Sequence, residues 1–238
     1  MNEVLARTGG LMEPTRRSSL AMMAAACLAA PAYAQTATLE ARAVGLVQTF
    51  LARVIGAPVA DRRRFATAAL DGVNALDAGT ALLEVAAVGV LVRASDLEDA
   101  VRAGYPRRSR EALALALRTL PNTAWTHALQ GAWHYEIVRR SALGATLYGA
   151  SLKRGDEAFT RAMASAGSDA GVRLSYAIAL LSDDPEARRA RALEVLGPAT
   201  SPLSGAYGAK VETHTSELRK LLSSHSPAQA ERYVLSIF

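Results

Sequence analysis

Apolar residues recur at steps of three and four along most of the chain after residue 38, and this periodicity constrains the fold more than any other feature. In residues 38–54 the stripe consists of Leu39, Ala43, Leu46, Val47, Phe50, Leu51 and Val54. Such spacing places the apolar side chains on one face of an α-helix. No alternating apolar and polar run with hairpin turn residues interrupts the pattern. The sequence therefore predicts an all-α fold.

Glycine, proline and capping residues divide this pattern into helices. The predicted ranges are 38–54, 61–78, 80–93, a helix opening at 95 and broken at Pro106, 107–120, 122–140, 155–166, 170–182, 185–197, 205–223 and 226–237. The segment 80–93 is apolar on almost every face, which predicts a helix buried among other helices. Antiparallel helices of this length with short turns indicate either a compact bundle or a repeat solenoid.

The first segment, residues 1–34, has the pattern of a secretory signal peptide. An arginine pair at 16–17 precedes a short apolar stretch at 18–31, and a small-x-small motif ends at Ala34. These are the positive region, apolar region and cleavage motif of an export signal. We therefore expect cleavage after Ala34, export to the periplasm of a Gram-negative bacterium, and a single mature domain at 35–238.

The route of export stays open between two alternatives. Residues 15–20 approach a twin-arginine pattern, but Ser19 replaces the bulky apolar residue, which favours the general secretory route. Cys27 follows three alanines, and a lipoprotein cysteine is the less favoured interpretation because no large aliphatic residue stands three positions earlier. Residues 1–34 hold the one cysteine, three arginines and two glutamates. Their removal lowers the formal net charge from +5 to +4.

Small and large residues in the middle of the chain recur in the register of a 34-residue helix-pair repeat. Ser109, Leu113 and Ala116 occupy the small, large and small positions of a second helix, and Pro121 stands at the exit. Gly131 falls at the close-contact position of the next repeat. Each choice has a steric reason, because Ala116 and Gly131 let neighbouring helices approach while Leu113 fills the space between them.

A second, weaker match contains Phe159 and Ala162, followed by Ala177. The distance from the first match exceeds one standard repeat, so residues 141–152 are predicted to be an insertion that lengthens a connection. An alternative register avoids the insertion and uses Leu143, Leu147, Ala150 and Gly155.

Over residues 95–200 these positions resemble the tetratricopeptide-repeat superfamily. More narrowly, Gly131–Ile137, Tyr148-Gly149 and Glu157–Ala162 are similar to an exported type from alphaproteobacteria, and distantly to regulator-of-microtubule-dynamics-like proteins. The resemblance implies a right-handed superhelix of helix hairpins that binds a protein or peptide on its concave face, without a consensus catalytic site. Residues 38–94 lack the repeat signature and are expected to be divergent N-terminal helices.

The candidate partner-binding residues cluster around the second half of the 122–140 helix. They are Trp133, Glu136, Arg139, Arg140, Tyr148 and Arg154. In one interpretation Trp133 packs against Ile137 and Glu136 pairs with Arg139 or Arg140 at the surface. In the other, Glu136 is a buried anchor that bonds backbone amides of 141–152. The arginines favour an acidic partner in the cell envelope.

The basic composition raises the hypothesis that the protein binds nucleic acid. The positions of the arginines along the chain do not favour it. The arginine clusters are Arg62–Arg64, Arg107–Arg110, Arg139–Arg140 and Arg188–Arg191. Acidic residues lie near each cluster, and aromatic residues are not interleaved as a stacking platform requires. We expect these arginines to lie on solvated helix faces, and no nucleic-acid partner.

Two other function classes stay open. A helical enzyme acting on cell-wall carbohydrate would need two carboxylates about 5–9 Å apart in one cleft, and the candidates are Glu84, Glu98, Glu111 and Glu136. A small-molecule or lipid carrier would need an enclosed apolar cavity between helices. His127 and His134 are seven residues apart, too far to share one metal ion comfortably. No catalytic residue, metal or cofactor is predicted.

Overall fold

The computed structural model describes residues 38–73, 75–166, 170–197, 203–224 and 227–237. The predicted signal peptide, including Cys27 and Ala34, lies outside these residues. Every regular element within them is an α-helix, which confirms the all-α prediction for the described part of the chain. None of the helices in these ranges is long and apolar enough to span a bilayer.

The helices are numbered here in chain order. They are α1 (38–54), α2 (Val59–Asp71), α3 (Ala81–Ala94), α4 (Leu97–Arg102), α5 (Tyr105–Thr119), α6 (Ala124–Arg140), α7 (Ala142–Tyr148), α8 (Leu152–Ala166), α9 (Ala170–Asp183), α10 (Pro185–Val195), α11 (Gly205–Ser223) and α12 (Pro227–Ile237). Most predicted boundaries lie within three residues of the observed ones.

The break predicted at Pro106 is wrong. The helix before it ends earlier, and Gly104 adopts a left-handed φ of +71° between α4 and α5. Pro106 is the second residue of α5. Proline is tolerated there because the first N–H groups of a helix have no intrahelical acceptor.

The segment 141–152 contains a helix of its own. The Ser141 hydroxyl caps α7 by accepting a hydrogen bond from the Gly144 N–H at 2.9 Å. Gly149 ends the helix with a φ of +63°, a conformation that favours glycine. None of the residues of α7 is buried, so this segment lies on the surface beside α6.

The central helices form two rows. Helix α3 packs against α5, α6 against α8, and α9 against α10, while α6 also contacts both α3 and α9. The first row is therefore α3, α6 and α9, and the second is α5, α8 and α10. As predicted for an apolar segment, α3 is central, with ten of its fourteen residues buried.

The end of α1 meets the C-terminal helices α11 and α12. The backbone N–H of Gly56, just after α1, donates a hydrogen bond of 3.1 Å to the carbonyl of Ile237 in α12. The Lys210 ammonium of α11 donates one of 2.6 Å to the carbonyl of Ile55. These contacts hold the end of α1 against the C-terminal helices.

Helices α1 and α11 also pack on the first row. The Trp125 ring of α6 meets the Tyr207 ring of α11 edge to face, with centroids 6.3 Å apart. Leu51 of α1 lines a cavity together with residues of α3, α6 and α9. The first row is thus partly covered by α1 and α11.

Helices α6 and α8 cross closely at two glycines. A Cβ added to Gly131 would lie 2.5 Å from the Phe159 ring, and one added to Gly155 would lie 2.7 Å from the Tyr135 ring. The Phe159 ring stacks on Tyr176 of α9, with centroids 4.4 Å apart. A close approach at Gly131 was expected between backbones, and an aromatic ring makes it instead.

The other residues assigned to the repeat are buried in the core, with the exception of Pro121. Ser109, Leu113, Ala116, Phe159, Ala162 and Ala177 are all buried. Pro121 lies in the exposed turn between α5 and α6.

Asp156 of α8 accepts hydrogen bonds from the hydroxyls of Tyr135, at 2.6 Å, and Tyr176, at 2.9 Å. These two bonds connect α6, α8 and α9.

Candidate functional site

The six candidate residues lie in two different places. Three line a surface groove: Trp133, Tyr148 and Arg154. The other three form a charged cluster between α6 and α3: Glu136, Arg139 and Arg140. The structure therefore divides a set that the sequence had grouped together.

The charged cluster is centred on Glu136, which is 8 % exposed. Its Oε1 accepts hydrogen bonds from Arg139 Nη2 at 2.6 Å and from Arg140 Nε at 2.7 Å. Its Oε2 lies 3.1 Å from Nε of Arg93 in α3. Arg140 also donates to the carbonyl of Ser95 at 3.0 Å. We call these four charged side chains the Glu136 cluster, and they bind the end of α6 to the end of α3.

Glu136 is held ionised despite its burial. Burial alone raises its pKa, but the charges of Arg93 and Arg139 and the hydrogen bonds from Arg140 and Arg139 outweigh it and lower the pKa to about 2. Each of the two interpretations of Glu136 drawn from the sequence is correct in one respect: one predicted its arginine partners, and the other predicted its burial. Glu136 is buried, yet its partners are arginine side chains and not the backbone amides of 141–152.

Arg62 of α2 lies near this cluster, and the expectation of a solvated face is wrong for it. It is 5 % exposed, and its Nε and Nη1 are buried without a hydrogen-bond acceptor. Burial and the charge of Arg93 lower its pKa. A buried guanidinium with unsatisfied N–H groups is costly, and the charge of Arg62 adds to those of the arginines around the single carboxylate of Glu136.

The surface groove lies between α5 and α8, above α6, with the end of α7 at one side. We call it the α5–α8 groove. Its volume is about 410 Å³, within the range of ligand pockets. It is lined by Arg110, Leu113, Ala114, Leu117, Gln130, Trp133, His134, Tyr148, Gly149, Arg154, Glu157 and Arg161.

The aromatic part of this groove is fixed by neighbouring helices. The Trp133 indole N–H donates to the Ser109 hydroxyl at 3.1 Å, which ties α6 to α5. The Tyr148 ring packs edge to face on Trp133, with centroids 6.3 Å apart. The Arg110 guanidinium lies 6.0 Å from the centre of the Tyr148 ring, within reach of a cation–π interaction.

The charges on the groove are mainly positive. Arg110, Arg154 and Arg161 line it with one carboxylate, Glu157. The Arg154 guanidinium also donates to the Gly149 carbonyl at 2.7 Å, which holds it at the end of α7. Three guanidinium groups beside an aromatic surface suit a ligand that carries both carboxylates and apolar groups.

His134 lies in this groove as a neutral imidazole. Burial first, and the charges of Arg154 and Arg161 next, lower its pKa to about 4. Its Nδ1 is buried without a hydrogen-bond partner, and so is Oε1 of Gln130. Both residues line the groove, but these two atoms are buried and would need a side-chain movement to meet a ligand.

The carboxylates considered for catalysis are all paired with arginines. Glu84 binds Arg108 at 2.5 Å, Glu98 binds Arg102 at 2.5 Å, and Glu111 lies 3.8 Å from Arg107. The last two pairs are within one exposed helix turn. Within the ranges that the structure describes, no three His, Cys, Asp or Glu side chains are arranged to hold a metal ion.

Several groove residues were not predicted from the sequence to bind a partner: Arg110, Gln130 and Arg161. A helical signal for them exists, because Arg154, Glu157 and Arg161 follow each other at steps of three and four on α8. Arg110, Leu113 and Leu117 do the same on α5. That these two faces meet across α6 depends on tertiary packing, which periodicity alone does not give.

Comparisons with known proteins found nothing similar. No protein-family model, curated protein sequence or solved structure matches the chain.

Proposed function

We propose that this protein is a non-catalytic helical scaffold that binds an acidic segment of a partner protein in the α5–α8 groove. The observation that carries the proposal is the lining of that groove, where three arginines surround the Trp133 and Tyr148 rings beside a single carboxylate. An acidic segment with one or two large apolar side chains complements this surface in charge and in polarity.

Exposed apolar residues beside the groove favour a protein partner. Leu143 and Leu147 of α7 are 70 % and 67 % exposed. They are four residues apart and so share one face of the helix. Tyr148, which follows them, lines the groove itself. Large apolar side chains next to a polar groove are typical of a protein-binding surface.

We further propose that the helix pairs are divergent tetratricopeptide-like repeats. The pairs α3 with α5, α6 with α8 and α9 with α10, joined through the row of first helices, are the packing expected of such repeats. In that interpretation the first row would form the concave face. Because α1 and α11 pack on that row, the proposed site is the groove on α5 and α8 and not the concave face.

We also propose that the protein acts in the periplasm after removal of residues 1–34. Support comes from the positive, apolar and small-x-small regions of that segment. N-terminal sequencing of the protein recovered from the producing cell tests this, and we expect the chain to begin at Gln35. A chain from the envelope that still begins at Met1 or Met12 would contradict it.

Selection from a displayed random peptide library tests the groove. We expect the wild-type protein to enrich peptides with Asp or Glu beside Leu, Phe or Trp. The variant Arg110→Glu/Arg161→Glu reverses two groove charges and should reduce affinity for a selected, synthesised peptide by tenfold or more. Binding should also weaken with salt, because exposed charges are screened.

A matched control separates the groove from net charge. Arg118→Glu/Arg232→Glu makes the same change in charge at two exposed arginines that do not line the groove. We expect this control to bind the selected peptide nearly as well as the wild type. Equal losses in both double variants, or a library that enriches no acidic peptide, would refute the proposal.

A further inference from the structure

A second space, distinct from the α5–α8 groove, lies between helices and is partly open to solvent. It is a cavity of about 120 Å³ between α1, α3, α5, α6 and α9. Its walls are mostly aliphatic side chains with the indoles of Trp125 and Trp133. An enclosed apolar cavity of about 150 Å³ holds benzene. This one is somewhat smaller but is partly open, so one ring fills it and a larger ligand would extend through its opening.

Gly89 gives independent evidence that the space is open. It lines the cavity from the middle of α3, and a Cβ added there would meet no atom within 4 Å. Glycine in a helix interior costs roughly 0.5–1 kcal/mol relative to alanine. Neither a turn nor a close helix crossing requires glycine at this position, so its effect is to leave the space unfilled.

The indoles favour an aromatic occupant. Trp133 gives its N–H to the Ser109 hydroxyl, so the indole presents ring carbon atoms to the cavity. Aromatic rings pair favourably with other rings in edge-to-face or offset geometry. A single ring between two tryptophans is therefore a better occupant than water, which finds few polar partners on these walls.

One end of the cavity is charged, because Arg93 and Glu136 line it. Arg139 and Arg140 share the same oxygen of Glu136. Arg62, nearby, is 5 % exposed and has two buried nitrogens without an acceptor. The net charge around this end of the cavity is therefore positive, and a negative group on a ligand would pair with Arg93, which lines the cavity itself.

From this arrangement we propose that the cavity is a binding site for a small aromatic monocarboxylate, with the ring between the two tryptophans and the carboxylate towards the Glu136 cluster. The site is independent of the proposed function in the α5–α8 groove, although Trp133 borders both. The chemistry is that of a charge-assisted contact at one end and apolar burial at the other.

Three ligands of similar shape test the proposal on the full chain. Benzoate, toluene and benzylamine share one ring and differ in the charge of the substituent. Binding is followed by the fluorescence of the two tryptophans, which are Trp125 and Trp133, and by calorimetry. We expect saturable binding of benzoate at least tenfold tighter than that of toluene, and none of benzylamine.

Substitutions that fill the cavity to different extents test whether benzoate binds there. Gly89→Ala and Gly89→Val should weaken benzoate binding in that order, because each side chain takes up ligand volume. The same changes at Gly45, where a Cβ also meets nothing within 4 Å, should leave it unchanged. Gly89→Ala needs no rearrangement for its Cβ, so it keeps the test interpretable if the valine variant unfolds.

Specific results would overturn the proposal. Toluene or benzylamine binding as tightly as benzoate would show that the charged end does not select the ligand. Benzoate binding that is equal in the Gly89 and Gly45 variants would show that benzoate binds outside the cavity. A failure to saturate below about 10 mM, which corresponds to a binding free energy of only about −2.7 kcal/mol, would show that the cavity is not a binding site. None of these results bears on peptide binding in the groove.

Discussion

Glu136→Gln tests whether the Glu136 cluster stabilises the fold. The substitution keeps the shape of the side chain, removes its charge and leaves Arg93, Arg139 and Arg140 facing a neutral amide. Removing one partner of a buried ion pair costs about 3–5 kcal/mol. The lowering of the Glu136 pKa from 4.5 to about 2 corresponds to about 3 kcal/mol at roughly 1.4 kcal/mol per pKa unit. We therefore expect the free energy of unfolding at pH 7 to fall by about 3 kcal/mol.

The Glu136 cluster also predicts that the free energy of unfolding falls as the pH is lowered below about 4.5. Because the pKa of Glu136 is lower in the folded protein than in the unfolded chain, its stabilisation is complete above about pH 4.5 and is lost as the pH falls towards 2. The wild type should lose this contribution on acidification. In Glu136→Gln the contribution is already absent, so the two proteins should become more similar in stability at low pH.

Urea denaturation followed by far-ultraviolet circular dichroism measures both effects. The matched control is Glu98→Gln, because Glu98 pairs with Arg102 one turn away but its side chain is 83 % exposed. An exposed pair of this kind contributes about 0.3–0.5 kcal/mol. A loss in Glu136→Gln no larger than that of the control would refute the reasoning. So would a difference from the wild type that does not shrink between pH 7 and pH 3.

Three further predictions concern other parts of the molecule. Gly131→Ala should lower the free energy of unfolding by about 1–3 kcal/mol, because its Cβ would overlap an aromatic ring; thermal melts of this variant and of Gly45→Ala, which should lose nothing, check it. Asp156→Ala leaves two tyrosine hydroxyls without their acceptor and should cost about 2–4 kcal/mol, whereas Asp156→Asn, which keeps an acceptor oxygen, should lose less in urea titrations. The His134 imidazole should titrate near pH 4 by nuclear magnetic resonance. The unfolded imidazole takes up its proton first, so His134 lowers stability as the pH falls from about 6.5 to about 4, and a midpoint near 6.5 would contradict its burial.

Local periodicity was sufficient to predict most of the helices, since an amphipathic stripe such as that of 38–54 depends only on residues within a few turns. It missed α7 within 141–152, and it extended the helix predicted at 61–78 beyond its observed end at Asp71. The burial of α3 followed from the same kind of evidence, because a helix without a polar face must be enclosed. The error at Pro106 was also local, since the residue suits a helix start as well as a helix end.

The site depends on contacts between distant residues, and those were not predictable in this way. Arg93 and Glu136 pair across two helices, and nothing in either segment indicates the partner. Arg62 stands in a run of three arginines that is typical of a solvated face, yet the packing of α2 on α3 buries it. The side chains of α5 and α8 form a groove only because both helices pack on α6.

The contact between the end of α1 and the C-terminal helices has a consequence for the order of folding. Lys210 binds the carbonyl of Ile55 across a sequence separation of 155 residues, and Gly56 bonds to the last helix. Contacts between distant residues form late, because the loop between them must close first. A chain that leaves a ribosome or crosses a membrane from its N-terminus can pack α1 on α3, α6 and α9 first, but Ile55 and Gly56 have no hydrogen bonds to α11 and α12 until those helices arrive. During that interval the turn after α1 lacks these backbone contacts, and a truncation of α12 would leave the Gly56 N–H without its Ile237 acceptor permanently.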